Sequence, residues 1–185
     1  MAKSVAPRGF ARGRVLEAAL ALFTENGVNG TSLQMIAERL GVNKSAVYYQ
    51  FRTKEDLVLE LVRPVFDDIN QVIKIANALS APESKRETAI SGIVELAVRQ
   101  RAVAFLLTDP AVESAIRTQA EFIGTYDNLV ALLHGHGLKA AGRAAMSLLL
   151  FGVFASVGDP ALADIPDDQL HSTMLECARR LLEIT

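Results

Sequence analysis

The chain has 185 residues, of which 50% are hydrophobic and 22% are charged, and its formal net charge is −2. That length can bury one or two small apolar cores, while the only cysteine, Cys177, excludes an internal disulfide, as expected in a reducing cytoplasm. No segment has the apolar length of a signal peptide or a bilayer span, so a soluble cytoplasmic protein without a membrane partner is predicted.

Charge is unevenly distributed along the chain. Residues 1–54 contain eight Lys and Arg against three Glu, a net +5, whereas the remainder contains eleven basic and eighteen acidic residues, a net −7. A basic end on an acidic body indicates a polyanionic partner for that end. The charges alone are equally compatible with a solvated surface.

A short basic arm, residues 1–10, precedes a predicted first helix from about Arg12 to Asn26. Gly27 follows and is expected to end this helix. The predicted buried stripe consists of Val15, Ala19, Leu22 and Phe23.

The next segment contains the clearest helix start. Thr31 is predicted to cap a second helix, with Gln34 in the reciprocal position of a capping box. Gly41 is expected to end that helix in the left-handed conformation. The apolar residues Leu33, Ile36, Ala37 and Leu40 have the spacing of one helical face.

A third helix is predicted from Lys44 to about Phe51, with Asn43 as its cap. Val42 and Val47 are expected to fill the angle between the two helices, since two short helices joined by a glycine-containing turn form a helix-turn-helix. The outward residues of the third helix include no carboxylate, which suits the major groove of DNA. They are Lys44, Ser45, Ala46, Tyr48, Tyr49 and Gln50.

Three consecutive groups of residues resemble the signature of tetracycline-repressor-type (TetR-type) regulators. They are Gly41-Val42-Asn43, Val47-Tyr48-Tyr49-Gln50-Phe51 and Lys54-Glu55-Asp56-Leu57, and the resemblance covers roughly residues 10–57. Asn43 stands where serine is frequent in the family, and Gln50 where histidine or tyrosine is frequent.

The resemblance implies a homodimer that binds a near-palindromic operator, in most cases as a repressor, and releases it when a small molecule enters the C-terminal domain. It also implies a phosphate contact for Lys54. The alternative is a helical DNA-binding protein without a small-molecule response. The candidate DNA-binding residues are Thr31, Ser32, Lys44, Ser45, Ala46, Tyr48, Tyr49, Gln50 and Lys54.

A long fourth helix is predicted from a second capping box at Thr53–Asp56 to about Leu79. Pro64 lies inside it, so a kink is expected there, with a functional hinge as the alternative. We therefore predict a DNA-binding domain over 1–52, with its motif at 32–51, and a ligand-binding and dimerisation domain over 53–185.

Later helices are predicted at about 84–100, 103–107, 111–133 and 138–157, with a last one from Asp167. No strand pattern, repeat or low-complexity segment is present, so the fold class is all-α with about nine helices.

The helix over 138–157 is apolar nearly all round, and a small chain offers only one core for it. Its other side is therefore expected to meet a second subunit, together with the last helix. The candidate interface residues are Ala141, Ala145, Leu148, Gly152, Met174, Cys177 and Leu181.

Nothing in the sequence combines a nucleophile with a base or groups metal ligands, so no enzyme, cofactor or metal is predicted. His134 and His136 could chelate only from an extended loop, and a surface turn is the preferred interpretation. Cys177 lies on an apolar stripe and is interpreted as a small buried hydrophobe. Candidate ligand-pocket residues, for which ordinary core is the alternative, are Phe66, Phe105, Phe122, Tyr126, Met146 and Leu150.

Overall fold

The computed structural model describes residues 8–134 and 139–183, which form ten α-helices, one 3-10 turn and no strand. The prediction of an all-α fold is confirmed. The helices are α1 (Arg8–Gly30), α2 (Leu33–Leu40), α3 (Lys44–Gln50), α4 (Lys54–Asn77), α5 (Pro82–Arg99), α6 (Arg101–Leu106), α7 (Pro110–Ile116), α8 (Ala120–His134), α9 (Ala140–Ser156) and α10 (Asp167–Glu183).

The helical path of α1 is interrupted where its glycine was predicted to end it. Gly27 has φ 72° and ψ 164°, and the chain makes a further short helical turn to Gly30 after this kink. The kink turns the chain toward α2, and Arg39 of α2 pairs with Glu25 of α1 at 2.6 Å. The hydrogen bond from Arg39 lowers the pKa of Glu25.

The start of α4 agrees with its sequence signal. The Thr53 hydroxyl accepts from the Asp56 amide at 3.0 Å, and the Asp56 carboxylate accepts from the Thr53 amide at 2.9 Å, which completes the predicted capping box. The helix runs continuously through Pro64 to Asn77. Pro64 is exposed on this helix.

Two apolar cores lie along α4. The first joins α1, α2 and α3 to the N-terminal half of α4, including Leu57 and Val62, and to residues of α6, α7 and α8. The second contains the C-terminal half of α4 with α5, α8, α9 and α10. The short N-terminal helices therefore complete their core with α4, as expected of a unit too small to bury much surface alone.

The predicted single helix over 111–133 is wrong, because the structure contains α7 and α8 with a break at Arg117–Gln119. The Thr118 hydroxyl donates to the Ala115 carbonyl at 2.7 Å, and the Gln119 carbonyl accepts from the Phe122 amide at 3.1 Å. A threonine that bonds back to its own helix competes with helix continuation. This break accounts for the tenth helix.

Within the residues described, no helix combines the length and hydropathy that a membrane crossing needs.

Candidate nucleic-acid interface and apolar cleft

Ser32, rather than Thr31, caps α2. The Ser32 hydroxyl accepts from the Met35 amide at 3.2 Å, and Gln34 bonds Glu38 at 2.7 Å instead of completing a capping box. The predicted cap was therefore placed one residue too early. Gly41 ends α2 with φ 65°, as predicted.

Thr31 has a buried structural position. Its side chain is 3% exposed, and its hydroxyl lies 2.9 Å from the Gly27 carbonyl and 3.1 Å from the Leu22 carbonyl. The hydroxyl holds the kinked end of α1 against the start of α2. The assignment of Thr31 to the DNA contacts is corrected, because a buried, hydrogen-bonded hydroxyl cannot reach a phosphate.

Thr31→Val is expected to lower the free energy of unfolding by about 1–2 kcal/mol, because it removes a buried hydrogen bond while preserving the side-chain shape. Urea denaturation followed by circular dichroism measures the change. Thr24→Val is the matched control, since the exposed Thr24 hydroxyl bonds only the Leu20 carbonyl of its own helix, and should change stability by less than about 0.5 kcal/mol. Equal losses in the two variants would contradict the structural role of Thr31.

The angle between α2 and α3 is filled by fewer residues than predicted. Ala37 and Val47 are fully buried between the helices, whereas Val42 is 41% exposed and only its amide is engaged, with the Ala37 carbonyl at 3.0 Å. Asn43 occupies the cap position of α3 without a side-chain hydrogen bond to the helix. The predictions for the Val42 and Asn43 side chains are therefore wrong.

The outward face of α3 is open to solvent. Tyr49 is 76% exposed and Tyr48 43%, while Lys44, Ser45 and Ala46 are also exposed. The Lys44 ammonium lies 5.3 Å from the centre of the Tyr48 ring. The face thus presents hydroxyl, aromatic and cationic groups on a helix with no acidic residue.

Arg12 fixes the C-terminal end of α3, a role that sequence reasoning missed. Its guanidinium donates to the Gln50 carbonyl at 3.0 Å, lies 4.1 Å from the centre of the Phe51 ring and pairs with Glu60 of α4. One side chain therefore connects α1, α3 and α4. Gln50 itself is half-buried, which leaves it less available than its neighbours on α3.

Lys54 connects α4 to the segment before α2. Its ammonium donates to the Val28 carbonyl at 2.7 Å and to the Thr31 carbonyl at 3.1 Å, and the residue is half-buried. An ammonium has three donors, so one N–H and the positive charge remain for another acceptor. The resemblance implied only a phosphate contact here, and the tether to 28–31 is an additional function.

An apolar cleft of about 530 Å³ opens between α4, α7, α8 and α9. Four predicted pocket residues line it, namely Phe66, Phe122, Tyr126 and Leu150. Phe105 and Met146 do not line it, because Met146 is 2% exposed within the core and Phe105 packs against Gly158 on another side of α6. The other lining residues are Ile69, Leu107, Thr108, Glu113, Ile116, Arg117, Ile123, Asp127, Leu129, Ser147, Phe151 and Phe154.

The lining of the cleft combines stacked aromatic rings with a few charged groups. Phe66 and Phe122 stack with ring centres 4.4 Å apart. Arg117 pairs with Glu113 at 2.6 Å, and this bond raises the pKa of Arg117. Such a cleft suits a largely apolar molecule with a small number of polar groups.

One side of α9 presents apolar residues to solvent. Leu148 is 65% exposed and Phe151 is 64% exposed, and they continue a stripe with the exposed Ala141 and Ala144. Gly152 is half-buried, and a Cβ added there would meet no atom within 4 Å.

The other predicted interface residues divide between the core and the surface. Ala145 and Met174 are buried within the protomer and belong to its core, and Leu181 packs partly against that core. Cys177 is exposed, so its interpretation as a buried hydrophobe is wrong. The exposed stripe of α9 is thus narrower than the predicted interface.

The histidines join no metal-ligating group in the described part of the chain. His136 and the side chain of His134 lie outside it, so the interpretation of that pair as a turn stays a prediction. His171 lies 3.6 Å from Glu95 at the surface. Among the described residues, no group of three or more His, Cys, Asp or Glu could hold a metal ion.

The fold and this site define a class: an all-helical protein whose N-terminal helix-turn-helix is joined by a long helix to a helical body. Residues 15–61 match the family described as "Bacterial regulatory proteins, tetR family". Over these residues the chain is therefore similar to the tetR family, as its sequence signature indicated.

Two curated relatives match about a third of the chain. The chain is 32% identical over 62 residues to the biofilm operon icaADBC HTH-type negative transcriptional regulator IcaR of Staphylococcus aureus strain Newman, over 34% of this chain and 33% of the relative. It is 39% identical over 56 residues to the HTH-type transcriptional repressor KstR2 of Mycobacterium tuberculosis, over 30% of this chain and 28% of the relative. The similarity thus spans about a third of their length.

Solved structures match over nearly the whole chain. NalD of Pseudomonas aeruginosa, the secondary repressor of the MexAB-OprM multidrug efflux pump, is similar with a TM-score of 0.68 and 25% identity, over 93% of this chain and 95% of that one. The TetR family transcriptional regulator PfmR from Thermus thermophilus is similar with a TM-score of 0.66 and 18% identity, over 92% of this chain and 97% of that one. The body of the protein therefore shares the fold of this family beyond the matched N-terminal residues.

Proposed function

We propose that this protein is a transcriptional regulator that binds operator DNA through α3 and acts as a repressor. The observation that carries the proposal is the outward face of α3, where Lys44, Ser45, Ala46 and Tyr49 are exposed on a helix with no acidic residue. Base edges in the major groove offer donors and acceptors to such groups, while phosphates attract the surrounding positive charge. The tetR-family match over 15–61 supports the same assignment.

The proposed operator is a near-palindrome bound by a homodimer. The apolar stripe on α9 supports a two-fold contact, and a two-fold dimer presents its two copies of α3 in opposite orientations. Half-sites of helix-turn-helix dimers lie about one helical turn, or a multiple of it, apart.

Selection of bound DNA from a random pool with the purified protein tests this function. We expect enrichment of sequences with two inverted half-sites whose bases change when Ala46 or Tyr49 is substituted. Recovery of sequences no different from the starting pool would contradict sequence-specific binding. Enrichment of a single, unrepeated site would contradict the dimeric arrangement.

We further propose that a small molecule in the cleft releases the DNA. The cleft supports this, since its wall consists mostly of Phe, Ile and Leu side chains, with Tyr126 and Asp127 facing the same space. An effector that fits is largely apolar and presents a cationic or hydrogen-bonding group toward Asp127. A DNA-binding protein without small-molecule response is the alternative.

A thermal-shift screen with apolar and cationic compounds distinguishes the two functions. A cleft ligand at about 100 times its Kd should add about 2.7 kcal/mol to the free energy of unfolding. Ile123→Trp fills the cleft and should abolish the shift, whereas Ile75→Trp, at an exposed isoleucine that does not line the cleft, should preserve it. The absence of any stabilising compound would favour the alternative.

Linkage gives this ligand a second, quantitative test. If the ligand weakens operator binding by some factor, saturating operator must weaken ligand binding by the same factor. Titration of the protein with the ligand, with and without the selected DNA, measures the affinity of the ligand in each state. Unchanged ligand affinity in the presence of saturating operator would contradict release by the ligand.

A further inference from the structure

Asp109 lies at the junction between the cleft and the helix-turn-helix. One of its carboxylate oxygens, Oδ1, accepts from the Ala111 amide at 2.8 Å and thereby caps α7. The other, Oδ2, accepts from the Val28 amide at 3.1 Å, across 81 residues of sequence. A single carboxylate therefore holds the first turn of α7 and the end of α1 together.

Thr108, the residue before Asp109, lies between two cavities. Thr108 lines the apolar cleft and also a smaller cavity of about 340 Å³, where Phe23 and Gly27 of α1 face Phe105 of α6. Asp109 lines the smaller cavity as well. A displacement of the α6–α7 connection by a molecule in the cleft would therefore act directly on the atoms that hold Val28.

Segment 28–31, which Asp109 holds through Val28, also sets the position of α2. The Val28 carbonyl accepts from the Lys54 ammonium, and the Thr31 amide donates to the same carbonyl at 3.3 Å. The Ser32 cap of α2 follows immediately. Segment 28–31 is thus bound from one side by the body, through Asp109, and from the other by the start of α4.

We propose that Asp109 is the positioning residue through which occupancy of the cleft changes the placement of the helix-turn-helix. This inference rests on the proposed function of the cleft as an effector site. The Asp109 carboxylate contacts neither the DNA face nor the main cleft, so it acts through segment 28–31. Its two hydrogen bonds make the wall of the cleft and the start of α2 move together.

The chain contains its own control for the capping role. Asp159-Pro160-Ala161 repeats the sequence Asp109-Pro110-Ala111, and Asp159 Oδ1 accepts from the Ala161 amide at the same 2.8 Å. Asp159 is exposed and caps only its own 3-10 turn. Asp109→Asn and Asp159→Asn therefore make the same chemical change, one acceptor oxygen replaced by an NH2 donor, in two similar turns, of which Asp109 alone bridges to α1.

A second variant removes the donor instead of the acceptor. Val28→Pro deletes the amide hydrogen and leaves Asp109 free to cap α7. Val28 directly follows the non-helical Gly27, whose ψ of 164° suits a residue before proline, and proline is tolerated at the first position of a helical turn. This variant keeps the proposal testable if Asp109→Asn fails to fold.

The experiment uses Ile123→Trp to occupy the cleft, so no identified ligand is required. Hydrogen exchange of the amides of residues 29–31 is compared with and without Ile123→Trp in the wild-type, Asp109→Asn, Val28→Pro and Asp159→Asn backgrounds. We expect filling the cleft to change these exchange rates about fivefold or more in the wild type and in Asp159→Asn. In Asp109→Asn and Val28→Pro the same substitution should change them less than about twofold.

Binding to the DNA selected from the random pool gives the second measurement. Ile123→Trp should change DNA affinity about fivefold in the wild type and in Asp159→Asn, and less than about twofold in Asp109→Asn. Equal changes in all backgrounds, or no change of exchange in the wild type, would overturn the proposal. The exchange measurement needs no DNA, so failure of the selection would contradict the proposed function without deciding the role of Asp109.

Discussion

Leu148→Glu and Gly152→Glu are each expected to convert a two-fold dimer into a monomer. Leu148 is 65% exposed and Phe151 is 64% exposed on one stripe of α9. Large apolar side chains that lie together in water favour contact with a partner. Small residues at Ala141 and Ala144 let a second copy of the helix approach closely. Burial of a large apolar side chain contributes about 1.5–3 kcal/mol, and the two-fold axis doubles each contribution.

The substitutions are chosen so that the protomer itself tolerates them. Leu148 is outside its core, and a Cβ added at Gly152 meets no atom within 4 Å. Ala145→Glu, by contrast, would place a carboxylate in the core and test folding rather than association. Sedimentation equilibrium measures the mass, and circular dichroism checks that helix content is retained. Ile75→Glu is the matched control, because Ile75 is 59% exposed and belongs to α4 instead of α9.

Loss of the dimer should also weaken operator binding. A dimer binds the second half-site intramolecularly, and such linkage contributes about 10²–10⁴ in affinity. The two monomeric variants should therefore bind the selected palindrome at least about 100-fold more weakly, while Ile75→Glu binds it normally. A Leu148→Glu protein that sediments as a dimer would place the interface elsewhere.

Local signals predicted most of the fold. Gly27 and Gly41 both have a positive φ, which glycine adopts readily where a helical path is interrupted or ends, and the Thr53–Asp56 capping box forms as its spacing indicated. These features depend on a few neighbouring residues, so the sequence contains the information needed to place them.

Features that depend on distant contacts were not predictable. Thr31 and Ser32 are equally good caps by type, and only the packing of the α1 kink decides that Thr31 is buried and Ser32 caps. The bonds from Asp109 and Lys54 to Val28 join residues 81 and 26 positions apart, which no periodicity encodes. Cys177 lies on a stripe whose rotation toward solvent is set by the packing of α10 on α5 and α9.

Lys54→Ala should weaken binding to all DNA sequences alike. The resemblance places Lys54 on a phosphate, and its ammonium keeps one N–H beyond the two that bond Val28 and Thr31. A dimer would lose two phosphate contacts, so the slope of log K against log salt should fall by about 1.8. Lys54→Arg retains the positive charge and should preserve that slope, although it disturbs the two carbonyl contacts.

Substitutions on the outward face of α3 should change base preference and leave the salt slope unchanged, the opposite of Lys54→Ala. Tyr49 is 76% exposed near the part of α3 that meets base edges in helix-turn-helix docking, and Ala46 and Ser45 lie on the same side. Ala46→Ser or Tyr49→Phe should leave the salt slope nearly unchanged and alter the preferred bases by about 1–3 kcal/mol per affected base pair. Tyr48 can contact either the DNA backbone or a base, and the backbone is the preferred interpretation, so Tyr48→Phe should change affinity without changing base preference.

Salt titrations and repeated selections with the same variants decide between the two roles. A change of base preference in Lys54→Ala, together with a lowered slope and unchanged preference in Tyr49→Phe, would mean that α3 does not lie in the major groove. If Lys54→Arg loses as much affinity as Lys54→Ala at an unchanged slope, the tether to segment 28–31 outweighs the phosphate contact. In that case Lys54 acts on DNA through the placement of α2, because its charge would be retained while its geometry is lost.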